Sequence, residues 1–209
     1  MQRNGLLLPL TALALAAGIA ALLALDFRKS WEADQARRLE HSQATLDGII
    51  QEDEYTKSFH NEATGMELYW TIRDDEIFIG LRCPSRGWVA LGLGGQGPMM
   101  KDADILIAYV DAEGVHAQDN FANDFASHVA DIQLGGRDDI LESAGTETGQ
   151  GTVVELRRKL DTGDPYDQRI VPGKLRVLLA HADADDFTSY HKSRFATTID
   201  LFGFGEVVP

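Results

Sequence analysis

The sequence predicts an all-β fold, a sandwich of two antiparallel sheets behind an N-terminal apolar segment. Three observations carry this. Apolar residues recur with a period of two across many short runs, turn-forming clusters separate those runs, and no amphipathic helical pattern lies between them. The chain has 209 residues and 20 glycines, enough for one sizeable core plus an appendage.

The elements follow in order. Residues 5–25, "GLLLPLTALALAAGIAALLAL", carry no charge, and at about 1.5 Å per residue they match the roughly 30 Å hydrocarbon core of a bilayer. This length favours a membrane-spanning signal anchor, residues 1–25, over a cleaved signal peptide, whose apolar region is shorter. Arg28, Lys29, Arg37 and Arg38 follow the segment while Arg3 and the α-amine precede it, a balance that by itself points the rest of the chain inward. Residues 26–54 are polar and lack proline; they read as a stalk helix, with Leu39, Leu46 and Ile50 at roughly helical spacing, or as a charged linker.

A domain is expected over residues 55–209. Met66, Leu68, Trp70 and Ile72 alternate with polar neighbours, Asp74 and Asp75 supply a turn, and Ile77, Ile79 and Leu81 resume the alternation as the second strand of a hairpin. Further strands are expected at residues 88–93, 105–110, 115–118, 152–157, 175–180 and 197–201, set apart by "DAEG", "TGDP" and "VPGK". "ILIAYV" is apolar on both faces and reads as a central strand covered by the facing sheet. Residues 119–150 are rich in Asp, Gly and Thr, and the expectation there is long loops at one end of the sandwich.

Composition excludes several classes of function. A formal charge of -14 and a pI near 4.7 repel phosphate backbones, so no nucleic-acid partner is expected, whereas a basic protein would be attracted. The single cysteine, Cys83, leaves no intramolecular disulfide, thiolate zinc site or CxxCH attachment for covalent haem. "GLGGQG" runs from strand to strand rather than into a helix, against a dinucleotide loop. No nucleophile, base and acid fall into a readable arrangement, and the domain is expected not to be an enzyme by itself. Asp102, Asp104, Asp119 and Asp124 have the oxygen ligands for Ca²⁺, or are ordinary solvated loop carboxylates. "LDTGDPYD" resembles a calcium loop superficially and reads as a structural turn.

Four stretches in order, "RGWVALGLGG", "DADILIAYVDAEGVHAQDNFA", "VVELRRKLDTGDPYDQRI" and "LLAHADADDFTSYHKSRFATTIDL", resemble the DOMON domain over about residues 55–202. The resemblance implies an immunoglobulin-like, extracytoplasmic β-sandwich associated with redox enzymes, hence export to the periplasm or extracellular space. Some members hold a b-type haem between a methionine and a histidine; others carry none, and sugar binding has been proposed for some. Carried onto this chain, the methionine five residues before "ILIAY" is Met100, and the histidine before the closing strand is His191, with His181 as the alternative ligand. Asp185 or Asp186 is the expected acceptor for the second ring nitrogen. A thioether favours Fe(II) and imidazole serves both oxidation states, so such a pair suits a relay of single electrons to a separate redox protein. Without haem, the same domain would be a module for a small molecule or glycan, with Met100 merely packed. Met99 is expected to pack; His116, His128 and His181 lack the spacing of a metal site.

Overall fold

In the computed structural model the chain divides into two units, residues 1–41 and 42–209. The structure describes residues 44–51, 53–95 and 99–203, together with Leu25, Arg28 and Lys29, which are helical. The expected anchor and most of the expected stalk lie outside the described residues. Among those described, no helix is long and apolar enough to cross a membrane.

Among the described residues, the second unit is a sandwich of eleven strands in two antiparallel sheets, ordered β1-β2-β3-β9-β8 and β11-β10-β4-β5-β6-β7. The first sheet is built from β1 (Lys57–Asn61), β2 (Met66–Arg73), β3 (Glu76–Cys83), β8 (Ile140–Thr148) and β9 (Gly151–Lys159). The second holds β4 (Val89–Gly94), β5 (Ala103–Asp111), β6 (Gly114–Phe121), β7 (Val129–Ala130), β10 (Lys174–His181) and β11 (Ser193–Asp200). Period-two alternation sets the core directly. Met66, Leu68 and Trp70 of β2, Ile79 and Leu81 of β3, and Val154 and Leu156 of β9 meet Leu91, Leu106, Val177 and Leu179 of the other sheet.

Two expectations are corrected. Residues 119–150 are not all loop: β7, a single-turn helix (Asp131–Leu134) and the nine-residue strand β8 lie within them. Strand β8 is half-buried rather than cleanly alternating, and a bulge breaks its register between Ile140 and Glu142, so no periodic signal betrays it. The packed body also begins before Tyr55. Ala44, Ile50 and Tyr55 bury against Phe78 on the outer face of the first sheet. Glu155, fully buried, accepts hydrogen bonds there from the Gly48 N–H (2.7 Å), the Asp47 N–H (3.1 Å) and the Tyr55 hydroxyl (2.7 Å).

At one end of the inter-sheet core the alternation continues but its residues turn polar. Leu106 gives way to Asp104, and Leu156 to Arg158, which is fully buried and donates to Asp104 Oδ2 at 2.6 Å. Asp119 shares this space. Burial, then the neighbouring Asp104 and Asp167 charges, push its carboxyl up to about 9.

Candidate functional site

Strand β5 is apolar on both faces because each face is covered by something different. Leu106, Ala108 and Val110 enter the core against the facing sheet, while Ile105 and Ile107 turn outward with Trp88, Ala90 and Ala182 into a second apolar cluster. Loops rather than a third sheet cover that outer face. Between them and the sheet lies a cavity of about 400 Å³, in the size range of small-molecule and cofactor sites.

Strand register makes the cavity floor. Across four neighbouring strands run two rows, Ile105, Gly92, Leu178, Ala196 and Ile107, Ala90, Ala180, Arg194. Ile105, Ile107 and Leu178 are the large aliphatics of these rows, while Gly92, Ala90, Ala180 and Ala196 are small. A Cβ on Gly92 would come within 2.9 Å of Ile105 Cδ1 and 3.0 Å of Leu178 Cβ, so only glycine keeps this row level. The result is a flat apolar trough.

Three segments wall the trough. The first, residues 99–102, brings Met99 and Met100 to the rim; the Ala103 N–H donates to the Met100 carbonyl (2.9 Å), and Arg176 Nη1 donates to the Met99 carbonyl (2.8 Å). Met100 packs half-buried on the outer cluster, and Met99, expected to be packing, lines the cavity as well. The second, residues 122–128, contributes Phe125 and His128, with Lys101 Nζ 5.4 Å from the Phe125 ring centre. The third, residues 187–191, is fastened by Phe187 against Tyr109 (4.9 Å between rings) and by the Trp88 indole N–H donating to the Ser189 carbonyl (3.2 Å). It carries His191 to the cavity.

Met100 and His191 therefore line one cavity from separate walls. Arg194 Nη1 lies 3.0 Å from His191 Nε2. Since guanidinium can only donate, Nε2 is the acceptor and the proton of the neutral ring sits on Nδ1. Partial burial, then the Arg194 charge, lower the His191 pKa and hold the ring neutral. Of the two expected acidic orienters, Asp186 spends its carboxylate on the Thr188 N–H (2.7 Å), the Ser189 N–H (2.6 Å) and the Ser189 hydroxyl (2.5 Å), shaping the turn instead.

His181 lies elsewhere. It has the parity of Val177 and Leu179, so its ring points into the inter-sheet core, 3% exposed, on the opposite face of β10 from the cavity floor. An imidazole aimed there cannot share a ligand with Met100. His116 stacks on Tyr109 and meets Asp111 at 3.0 Å, and His128 Nδ1 lies 2.8 Å from Asn120 Nδ2, so the three histidines do not converge. Sequence reasoning missed the floor. Its signal was present in the small outward residues Ala90, Gly92, Ala180 and Ala196, but reading them as a surface requires the register.

The comparisons bear on this arrangement. The DOMON domain family model matches residues 62–182. DBH-like monooxygenase protein 1 of Homo sapiens is 32% identical over 133 residues, covering 62% of this chain and 21% of that protein. The protein of the same name from Gallus gallus is 30% identical over 153 residues, 73% of this chain and 22% of that one. The chain thus spans about a fifth of the length of these curated relatives. Among solved structures, the cytochrome b domain of pyranose dehydrogenase from Coprinopsis cinerea shares the fold, with a TM-score of 0.53 and 21% identity over 69% of this chain and 80% of that domain.

Proposed function

Because this chain belongs to the DOMON domain family, we propose that its outer-face cavity holds one b-type haem between Met100 and His191 and that the domain relays single electrons to or from a separate redox protein. One observation carries the reading: a thioether and a neutral imidazole, delivered by different segments, line the same level apolar trough. The residues fit a flat, largely apolar group. Gly92, Ala90, Ala180 and Ala196 leave room for a plane, Ile105, Ile107 and Leu178 give it apolar contact, and the size of the cavity is in the cofactor range. When bound, a haem with these two side ligands supplies reversible one-electron chemistry at a raised potential.

The chain's own residues do the rest. Trp88 and Phe187 hold the 187–191 segment down on the sheet, which fixes the origin of His191. Partial burial and then Arg194 keep the ring neutral, and the guanidinium covers the Nε2 lone pair that would have to be freed for that nitrogen to hold a haem. The Met99 carbonyl, pinned by Arg176, fixes the Met100 wall. In this reading the domain is an electron carrier rather than an enzyme, residues 5–25 tether it to a membrane, and the sandwich faces the periplasm or extracellular space. The floor offers aliphatic carbon and one guanidinium, while the polar side chains of His128, Thr188, Ser189 and Tyr190 stand in the walls; a flat apolar group matches that floor better than a glycan does.

Haem titration of the full-length chain, purified in mild detergent, tests the proposal. The expected result is one haem per chain with a sharp Soret band and narrow α and β bands on reduction. Met100→Ala and His191→Ala are each expected to broaden or shift those bands. A wild-type chain that takes up no haem would overturn it.

A further inference from the structure

The polar end of the inter-sheet core holds more negative charge than the protein neutralises. Asp104 from β5, Asp119 from β6, Asp131 from the single-turn helix, and Asp164 and Asp167 from the β9–β10 connection converge there. Their oxygens fall into two groups that share Asp167: Asp104, Asp119 and Asp167, and Asp131, Asp164 and Asp167, each with its ligand atoms within 4.8 Å of one another. Arg158 serves the first group. Its Nη1 lies 2.6 Å from Asp104 Oδ2 and its Nη2 is 3.3 Å from Asp167 Oδ2.

Among the described residues, the second group has no cation apart from the Arg158 Nη2 that reaches Asp167. Asp131 is 0% exposed, and neither of its carboxylate oxygens has a hydrogen-bond donor. Burial weighs on it most, the neighbouring charges of Asp167, Asp104 and Asp164 are all of its own sign, and its carboxyl lies close enough to Asp167 to share a proton with it. Asp164 is already held rigid: Oδ2 accepts the Arg137 N–H (2.7 Å) and Oδ1 the Tyr166 N–H (3.0 Å), which aims the carboxylate without cancelling its charge. A carboxylate sealed from water is costly unless a cation meets it or a proton neutralises it. All the donors here are oxygen and several are carboxylate, in a closed space without His or Cys; that suits Ca²⁺, whereas Mg²⁺ keeps part of its water shell and Zn²⁺ prefers nitrogen and sulfur.

We propose that Asp131, Asp164 and Asp167 form a binding site for one Ca²⁺ ion, with Arg158 neutralising the Asp104 and Asp119 side of the same cage. The ion ties the helix that follows β7 to the β9–β10 connection. Residues 122–128, which wall the outer-face cavity, lie directly before β7, so the site also fixes the far end of that wall. The rival state is a set of carboxyls that share protons and take no metal.

Full-length chain stripped with EGTA and kept free of haem separates the two, and its outcome is independent of the haem reading. Isothermal titration with CaCl2 is expected to give one ion per chain and a raised unfolding temperature, with MgCl2 at equal concentration having a smaller effect. Asp131→Asn is expected to weaken Ca²⁺ binding about tenfold or more, because affinity follows ligand charge; Asp111→Asn, in an exposed turn, is expected to leave it unchanged. No stoichiometric binding by wild type at millimolar CaCl2, or an Asp131→Asn chain that is more stable in EGTA than wild type and binds Ca²⁺ as well, would overturn the proposal. Should Asp131→Asn fail to fold, the wild-type titration decides by stoichiometric binding or none.

Discussion

Arg158 and Glu155 sit on opposite faces of β9 and illustrate opposite ways of burying a charge. Arg158 has a partner of opposite sign at 2.6 Å, so removing it strands Asp104 in a site that is 1% exposed. Arg158→Leu is expected to destabilise the fold by about 3–5 kcal/mol in urea denaturation, with Asp104→Asn comparable in direction, because an unpaired buried charge remains. Glu155 has only hydrogen-bond donors. Desolvation raises its pKa, and the bonds from Tyr55, Gly48 and Asp47 offset part of that rise. A carboxyl whose folded pKa exceeds the unfolded value of about 4.3 binds its proton more tightly when native, so its contribution is complete below the unfolded value and is lost as pH rises through the folded one. Glu155→Gln is therefore expected to flatten the decline in stability between acidic and neutral pH, read as unfolding midpoints across that range. At this scale the sequence is least explicit. Nothing around Asp131 or Arg158 marks them as buried, since charged residues are normally exposed, and Met100 and His191 stand out only through the resemblance to a family.

Strands decide the shape of the cavity. The two rows across β5, β4, β10 and β11 are level because Gly92, Ala90, Ala180 and Ala196 have little or no side chain. Ala180→Leu puts a branched side chain into the trough without touching the inter-sheet core, since Ala180 faces the outer cluster. This variant is expected to fold with a native-like far-UV spectrum, to lose most of the haem uptake of wild type, and to leave Ca²⁺ binding intact. The hairpin of β2 and β3 is legible in the sequence because its apolar residues alternate, and the central strand β5 because its run is apolar on both faces. Strand β8 is not legible. Its half-buried residues and bulge erase the period, and Gly145, whose Cβ would fall 2.7 Å from Val110 Cγ2, exists to let the backbone lie close to the other sheet. Residues 44–51 read as stalk for a related reason: beyond the packing of Ala44 and Ile50, they are held by backbone N–H groups donating to Glu155 and Glu54, a pattern with little side-chain signature.

The whole molecule is strongly acidic, at -14, and this charge acts on any partner at long range. With haem loaded, electron exchange is expected to be faster with a cationic small-molecule reductant than with an anionic one of similar potential. The difference should shrink as ionic strength rises and the screening length falls below about 10 Å; stopped-flow rates at low and high salt read it. Composition alone gave that expectation. The fold class too is legible at this scale, while the division of the second sheet's outer face into a roofed cavity is not, because its roof comes from three loops far apart in the chain. The central claim is that one sulfur and one imidazole meet the iron. X-ray absorption at the iron edge of the haem-loaded full chain measures that directly: a single sulfur in the iron shell, absent in Met100→Leu, is the predicted result, and an all-nitrogen shell in the wild type would contradict it.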